Sequence, residues 1–216
     1  MFHLKYAKPQ SKILPYIDRI CYRLPDNIQT EGGLKLHIDI NPYDINPFNL
    51  HKHKLSNVKL KKIKPLQSFI ALTDCWNSES GGLNVIKGFH KKFDTYFTDQ
   101  FLDSDTNIGE FYRFNDKSHA KLLNQLEPVL CSAGSMVLWD SRLPHSTAEK
   151  LLGFDTREVI YQTYLPSNEI NDKYYAQQYE NYCLNIRPPS YIRMLNDQLL
   201  PKLINTTYED FFRNHA

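Results

Sequence analysis

The sequence predicts an all-β core, built as an antiparallel sandwich or barrel, with flanking helices. Short apolar runs are separated by turn signals such as "EGG", "SESGG", "SAGS" and "GFD", a pattern typical of short antiparallel strands. The runs lie at 34–40, 67–73, 83–86, 128–131, 135–139 and 157–164. No internal repeat or low-complexity linker divides the 216 residues, so we expect a single domain over 1–216 with its barrel core at about 30–166.

Helices are expected outside the strands, although their periodicity is weak. The candidate segments are 91–102, 116–126, 169–182 and 206–214, and the last two belong to a helical C-terminal segment at about 167–216. The tyrosine-rich stretch 171–193 predicts a helix before a Pro-Pro break. We expect this helix to pack against the sheet, and the alternative is that some of its tyrosines line a substrate pocket.

Composition excludes several classes of partner. A formal net charge of +2 argues against nucleic acid or an anionic membrane as the main partner. No apolar run approaches the length of a membrane span, and the opening "MFHLKYAKPQSK" lacks a signal-peptide core. The four cysteines are scattered without CxxC spacing, which predicts reduced thiols in a cytoplasmic protein. Oligomeric state is not readable from the sequence.

The stretch "HKHKLSNVKLKKIK", 51–64, contains six lysines and two histidines. The plainer interpretation is a solvated loop or an edge strand protected by lysines. The alternative is a cationic lip over a pocket that selects an anionic small molecule.

A histidine and a carboxylate lie side by side in the strand-like stretch "LKLHIDINPYD", 34–44. His37 and Asp39 are two residues apart, so strand alternation places them on one face. A buried carboxylate is costly unless something pairs with it. The pair therefore faces either water or a cation, and the spacing alone does not decide between them.

A second stretch supplies the groups that a cation would need. In "GSMVLWDSRLPHSTAEKLLGFDTREVIYQTYL", 134–165, an apolar strand leads to His145, and Arg157 begins another β-rich run. His37, Asp39 and His145 can converge as a two-histidine, one-carboxylate triad, with Arg157 on a neighbouring strand. Such a triad suits non-haem Fe(II), because it leaves three adjacent positions open.

The chain resembles the phytanoyl-CoA dioxygenase-like branch of the Fe(II)/2-oxoglutarate-dependent oxygenases, from about Leu34 to Pro166. The resemblance rests on three blocks in the family's order: "LHIDINP", then "LQSFIALTDCWNSESGGLNVIKGFHKKF" at 66–93, then "LWDSRLPHST…R…YQTYLP". Each block is modestly specific, and their order makes the combination strong. The resemblance implies a double-stranded β-helix, a cupin-like jelly-roll barrel whose mouth holds the metal.

The resemblance also implies roles for individual residues. His37, Asp39 and His145 match the iron ligands, and Arg157 matches the arginine that grips the far carboxylate of 2-oxoglutarate. Thr147 matches a hydroxyl that assists this arginine, and a register error of one residue would move that role to Ser146. Ile70 falls where relatives place a residue against the cosubstrate.

The implied activity is hydroxylation of an unactivated C–H in a small-molecule or acyl substrate. It consumes O2 and 2-oxoglutarate and releases succinate and CO2, with ascorbate as a supporting reductant. Asp39 favours hydroxylation over halogenation, which needs that position vacated. Two alternatives stay open: a non-catalytic binding protein with a vestigial metal site, and a cupin-type metal isomerase or epimerase.

The chain departs from the family before His37, where only 36 residues stand in place of a longer lead. We expect Arg19 or Arg23 to supply the missing basic contact with the cosubstrate, or else a barrel strand to be absent. Other chemistry-bearing residues have plainer interpretations. His90 is expected to be structural, Arg142 is expected to contact either substrate or Asp140, and Phe69 and Trp139 are expected in the core.

Overall fold

The computed structural model describes residues 12–16, 18–28, 33–39, 66–99, 112–114, 119–167 and 169–185. The basic stretch 51–64, the candidate helix 206–214 and the end of the tyrosine-rich stretch lie outside these ranges. Within them, the strands are β1 (Ile13–Tyr16), β2 (Ile20–Arg23), β3 (His37–Ile38), β4 (Leu66–Ala71), β5 (Leu83–Ile86), β6 (Tyr112–Arg113), β7 (Leu126–Pro128), β8 (Met136–Asp140), β9 (His145–Thr147) and β10 (Arg157–Pro166). The helices are α1 (Phe93–Asp99), α2 (Ala120–Leu123) and α3 (Glu169–Cys183), with a 3₁₀ turn at Phe89–Lys91.

The strands form two antiparallel sheets. In sheet 1 the order is β1-β10-β4-β8, and β2 also pairs with β10. In sheet 2 the order is β6-β3-β9-β5-β7. The chain crosses between the sheets from β3 to β4, from β4 to β5 and at each step from β7 to β10. This is the jelly-roll arrangement of a double-stranded β-helix, and the predicted fold class is confirmed.

Four strands lie outside the predicted apolar runs, namely β1, β2, β6 and β9. β1 and β2 pair with the two halves of β10, so the sheet edge beside β10 is filled by residues that precede the first apolar run. β1 carries Pro15, which an edge strand tolerates because no ladder donor is needed there. β9 has only three residues after Pro144, too few to show alternation.

The predicted helical segments at 91–102 and 116–126 contain α1 and α2, and α3 covers the predicted segment 169–182 and one residue more. Helix α3 packs beside β1, as expected for the tyrosine-rich segment. The four cysteines are free thiols, although Cys75 and Cys131 face each other in an antiparallel bridge. Burial raises the pKa of both of these thiols.

An aromatic cluster supports the strand that carries His37. Phe93 and Phe97 of α1 pack with Tyr112 and Phe114 through mostly edge-to-face contacts at centroid distances from 4.9 to 6.3 Å. Tyr112 lies in β6 opposite Ile38, which is fully buried. Burying each such side chain contributes about 1.5–3 kcal/mol. The cluster therefore anchors β3 to the core next to His37.

Arg23 ties the N-terminal strands to the segment after β9. Its guanidinium donates to the carbonyl oxygens of Ala148 and Glu149, both at 2.6 Å, and to Asp26 at 2.9 Å. Asp26 in turn accepts from the backbone N–H of Leu151 at 2.9 Å. This group of contacts, which we call the Arg23 clamp, fixes the chain soon after His145.

Candidate metal centre

The centre begins as a cross-strand pair. β3 and β9 run antiparallel with His37 directly opposite His145, and residues at opposed positions share one face of a sheet. The two imidazole ring centroids are 4.3 Å apart, and each residue is only 6% exposed. Backbone pairing alone therefore brings together two side chains that are far apart in sequence.

Asp39 completes the group. Its Oδ1 lies 3.4 Å from Nε2 of His37, and its Oδ2 lies 3.5 Å from Nε2 of His145. One ligand atom from each of the three residues falls within 4.8 Å of the other two. The Asp39 carboxylate points between the two buried imidazoles. His37 and Asp39 therefore face a site suited to a cation. We call His37, Asp39 and His145 the triad.

Hydrogen bonds fix which imidazole nitrogen faces the triad. Nδ1 of His37 lies 2.7 Å from the carbonyl oxygen of Lys35, and Nδ1 of His145 lies 2.9 Å from that of Leu143. A carbonyl only accepts, so each Nδ1 must carry a proton. In the neutral ring, Nε2 then offers its lone pair to a metal, an arrangement typical of histidine ligands.

The triad also has the charge that a divalent cation needs. Burial would raise the pKa of Asp39, but contacts with His145 and His37 hold the pKa well below its ordinary value. Asp39 is thus an ionised oxygen donor beside two nitrogen donors. Such a mixed set on one side of a site, with the other side open, fits Fe(II).

Arg157 is the first residue of β10, in sheet 1. It is 5% exposed, its Cζ lies 5.8 Å from the centre of the Phe69 ring, and one of its N–H groups donates to Sγ of Cys21 at 3.4 Å. Burial acts to lower its pKa, but Tyr161 and Cys21 outweigh this, so the pKa is raised and the guanidinium stays charged. No carboxylate among the described residues pairs with it.

Strand β4 lies between Arg157 and the triad in the chain of contacts. The guanidinium lies over Phe69, and the amide of Gln67 donates to Oδ2 of Asp39. Two residues of strand span about 7 Å. Arg157 and Asp39 therefore contact neighbouring side chains on the same face of β4.

Gln67 was missed by the sequence reasoning. It is 7% exposed, faces inward with Phe69 and Ala71, and contacts Asp39. The signal was present in "LQSFIA", where alternation puts a polar amide on the face that carries Phe69. A polar side chain on a core face is informative because such residues are seldom buried without a partner.

The structure treats the two other predicted cosubstrate residues differently. Thr147 shares the inward face of β9 with His145, while Ser146 points the opposite way. No bond from the Thr147 hydroxyl to Arg157 is seen in the part of the chain that is described. Ile70 alternates with Phe69 and so points away from the triad, and the side chain against Arg157 is Phe69.

The remaining basic candidates lie elsewhere. Arg23 is engaged in its clamp, and Arg19 is exposed beside Asp18, so neither supplies the expected cosubstrate contact. The Arg142 guanidinium donates two hydrogen bonds to Asp140, at 2.8 and 2.6 Å. This is the salt bridge expected as the alternative to a substrate contact. His90 lies in the 3₁₀ turn and does not belong to the ligand group.

A separate cleft of about 430 Å³ lies between α3 and the outer face of sheet 1. Ile20, Ile160, Tyr175 and Tyr179 contribute to its lining, and no member of the triad does. Within the described ranges, no helix combines the length and the apolar character that crossing a bilayer requires.

Comparison of the chain with known protein families gives a match. A sequence model of the phytanoyl-CoA dioxygenase family matches residues 27–151. No curated protein sequence matches the chain.

Three solved structures that match the chain have low sequence identity to it and TM-scores under 0.5. The epimerase SnoN, in complex with Fe³⁺, α-ketoglutarate and nogalamycin RO, has 14% identity and a TM-score of 0.47, over 71% of this chain and 50% of its own. HygX from Streptomyces hygroscopicus, with nickel, 2-oxoglutarate and hygromycin B bound, has 17% identity and a TM-score of 0.44, over 76% and 60%. EvdMO1 has 16% and 0.45, over 71% and 27%. The chain thus spans between about a quarter and three-fifths of these proteins, and at such scores the likeness says nothing about what it binds.

Proposed function

Because the chain belongs to the phytanoyl-CoA dioxygenase family, we propose that it is an Fe(II)- and 2-oxoglutarate-dependent dioxygenase. It hydroxylates an unactivated C–H of a small-molecule or acyl substrate and releases succinate and CO2. The observation that carries this proposal is the buried Arg157 guanidinium, which has no carboxylate partner in the described residues and lies over Phe69, two residues along β4 from the Gln67 that contacts Asp39. A buried charge of this kind is strongly unfavourable until an anion joins it.

The triad fits the metal that this function needs. His37, Asp39 and His145 would hold Fe(II), since two Nε2 lone pairs and one ionised carboxylate converge within 4.8 Å. When bound, Fe(II) supplies the activation of O2 that C–H hydroxylation requires. The protein's part is to hold these donors on one side and keep the other side open for cosubstrate and substrate.

Arg157 would bind the far carboxylate of 2-oxoglutarate. A guanidinium suits this position because it stays charged when buried and can grip a carboxylate with two parallel hydrogen bonds. Phe69 beneath it excludes water and limits its orientations. Thr147, on the inward face beside His145, is the proposed second donor to that carboxylate.

The substrate is left at the level of a class. An anionic substrate stays a prediction from the basic stretch 51–64, which lies outside the described residues. A non-catalytic binding role and a cupin-type metal isomerase or epimerase remain the alternatives. The cosubstrate separates a vestigial site and a cupin isomerase from the proposal, because neither consumes 2-oxoglutarate. An α-ketoglutarate-dependent epimerase such as SnoN is separated from a hydroxylase only by its product.

The test is uncoupled turnover. Purified protein with Fe(II), ascorbate and 2-oxoglutarate is expected to form succinate in air, and 2-oxoglutarate is expected to bind under anaerobic conditions by calorimetry. Arg157→Met is expected to lose cosubstrate binding while it retains metal binding. Arg19→Met removes an exposed arginine and is the matched control. A protein that binds Fe(II) but shows no 2-oxoglutarate binding at millimolar concentration would refute the proposal.

A further inference from the structure

Two buried polar atoms beside the triad lack partners. Gln67 and Trp139 are directly opposed on β4 and β8, so their side chains lie next to each other on the inner face of sheet 1. They are 7% and 6% exposed. Oε1 of Gln67 and Nε1 of Trp139 have no hydrogen-bond partner among the described residues. One of these atoms is an acceptor and the other is a donor.

Both residues contact the triad directly. The amide nitrogen of Gln67 donates to Oδ2 of Asp39, which places the acceptor Oε1 of the same amide next to that carboxylate. The indole of Trp139 packs 5.5 Å from the imidazole of His145 and 5.9 Å from the ring of Phe69, measured between ring centroids. The unpartnered pair is therefore at the site where cosubstrate and substrate would meet the metal.

The chemistry of the pair defines what it can bind. Unpartnered buried polar groups are rare in folded proteins because each loses its hydration without compensation. An O–H group meets both needs at once, since its oxygen accepts from the indole N–H and its proton is donated to the amide carbonyl. An aliphatic C–H group meets neither, and a carboxylate meets only the indole.

We propose that Gln67 and Trp139 form a polar subsite beside the triad for one bound O–H group. The group comes either from water held at the metal or from a hydroxyl of the substrate. If the group is water, the subsite depends on the proposed function only in that it needs the bound metal. The hydroxyl source extends the function, because it assigns the substrate to molecules that carry an alcohol near the reacting carbon.

The indole N–H can be observed without turnover. The chain has two tryptophans, the buried Trp139 and Trp76, which is 61% exposed. Nitrogen-15 labelling gives one indole N–H signal from each in a proton–nitrogen correlation spectrum. A hydrogen bond to the indole moves its proton signal downfield, and the Trp76 signal is an internal reference in the same sample.

Two titrations distinguish the sources. If the group is water at the metal, Zn(II), used as a diamagnetic stand-in for Fe(II), shifts the Trp139 signal, and added 2-oxoglutarate reverses the shift by displacing water. If it is a substrate hydroxyl, Zn(II) with 2-oxoglutarate leaves the signal in place and ethylene glycol at high concentration shifts it. Dimethyl sulfoxide, which accepts but cannot donate, is expected to shift it less than the glycol.

Variants test the partnership of the two residues. Gln67→Met keeps the length of the side chain but removes the amide, and it is expected to abolish the Trp139 response. Gln67→Asn shortens the amide and is expected to do the same if the methionine variant does not fold. Gln162→Met is the matched control, because Gln162 lies on the neighbouring β10 at an outward position and accepts from the Tyr164 hydroxyl.

The proposal is overturned if neither Zn(II) nor ethylene glycol moves the Trp139 signal. That result is expected if the Trp139 indole N–H donates directly to the Gln67 amide oxygen. It is also overturned if the response survives in both Gln67 variants. An intact indole response in a protein that forms no succinate would refute the proposed function and leave the subsite standing. Succinate formation without an indole response would refute the subsite and leave the proposed function standing.

Discussion

His37 and His145 face each other across a single antiparallel pairing, and each Nδ1 is bound to a carbonyl oxygen two residues earlier in the chain, just before its strand begins. The same local geometry is thus repeated on both strands. It directs both Nε2 atoms to one point, where the Asp39 carboxylate meets them at 3.4 and 3.5 Å. Metal affinity should therefore depend on the register of β3 against β9 as much as on the ligands.

Removing one imidazole should remove tight metal binding. Changes that only disturb the partners of a ligand typically cost 10–100-fold in affinity, so His145→Ala is expected to lose more than about 100-fold for Fe(II) or Co(II). Anaerobic metal titration followed by absorbance measures the loss. His90→Gln changes a histidine outside the ligand group and should bind metal like the unaltered protein. Equal affinity in the two variants would contradict the triad.

A methyl group at Gly33 should disturb the same pairing from outside. A Cβ there would lie 2.4 Å from the carbonyl oxygen of Ala148 and 2.6 Å from that of Thr147. Because these are backbone atoms, Gly33→Ala must displace β9, at about 1–3 kcal/mol of unfolding free energy. Chemical denaturation measures the change.

Gly134→Ala is the comparison for Gly33. Gly134 has a φ of +82° but nothing within 4 Å of its added Cβ, so only the left-handed backbone is strained, at roughly 1 kcal/mol. Metal affinity should fall in Gly33→Ala and stay unchanged in Gly134→Ala. A Gly33 variant with full stability and affinity would show that the strands are not in close approach.

Phe69 should affect cosubstrate binding through Arg157. A cation over an aromatic ring contributes about 0.5–2 kcal/mol, so Phe69→Leu is expected to weaken 2-oxoglutarate binding by about 2–30-fold. Calorimetry with the Zn(II)-loaded protein measures this, with Phe154→Leu, at a residue that is 93% exposed, as the control. No change at Phe69 would mean that the ring is only core.

Asp26 should make stability depend on pH in the acid range. The hydrogen bond from the backbone N–H of Leu151 lowers its pKa below the ordinary 3.8; burial opposes this, and Arg23 adds to the lowering. A carboxyl with a lowered pKa contributes stability that is fully present above about pH 3.8 and is lost as the pH falls through its lower folded value. Denaturation of Asp26→Asn and the unaltered protein should differ at neutral pH and converge in acid.

The control for Asp26 is Asp155→Asn, which removes the same charge from an exposed position. Its difference from the unaltered protein should not follow the same acid-range course. If the Asp26 and Asp155 variants give parallel curves, the pH effect reflects net charge and not the clamp.

The parts of the site that follow strand alternation could be predicted from the sequence. His37 and Asp39 are two residues apart, and a period of two is enough to place them together. His145 and Arg157 needed the family's block order, because β9 is too short to show a period and nothing local relates β9 to β3. Ile70 was expected to face the cosubstrate, but a shift of one residue along β4 places Phe69 on that face instead.

Side-chain partners that depend on tertiary contacts could not be predicted. Arg23 has the charge expected of a cosubstrate ligand, yet its donors go to two carbonyls more than a hundred residues away. Gln67 was visible as a polar residue on a core face, but its partner Asp39 is 28 residues earlier in the chain and no local pattern joins them. The core aromatics Phe69 and Trp139 were predicted correctly, because burial follows from side-chain type.

The Arg23 clamp has a consequence for any shortened form of this protein. Deleting the residues up to 30 would strip the carbonyls of Ala148 and Glu149 of their donors and free the chain just three residues beyond His145. Besides removing β1 and β2 from beside β10, the deletion is therefore expected to weaken iron retention at His145. A trimmed protein that kept its iron would show that β9 holds its place without help from the amino terminus.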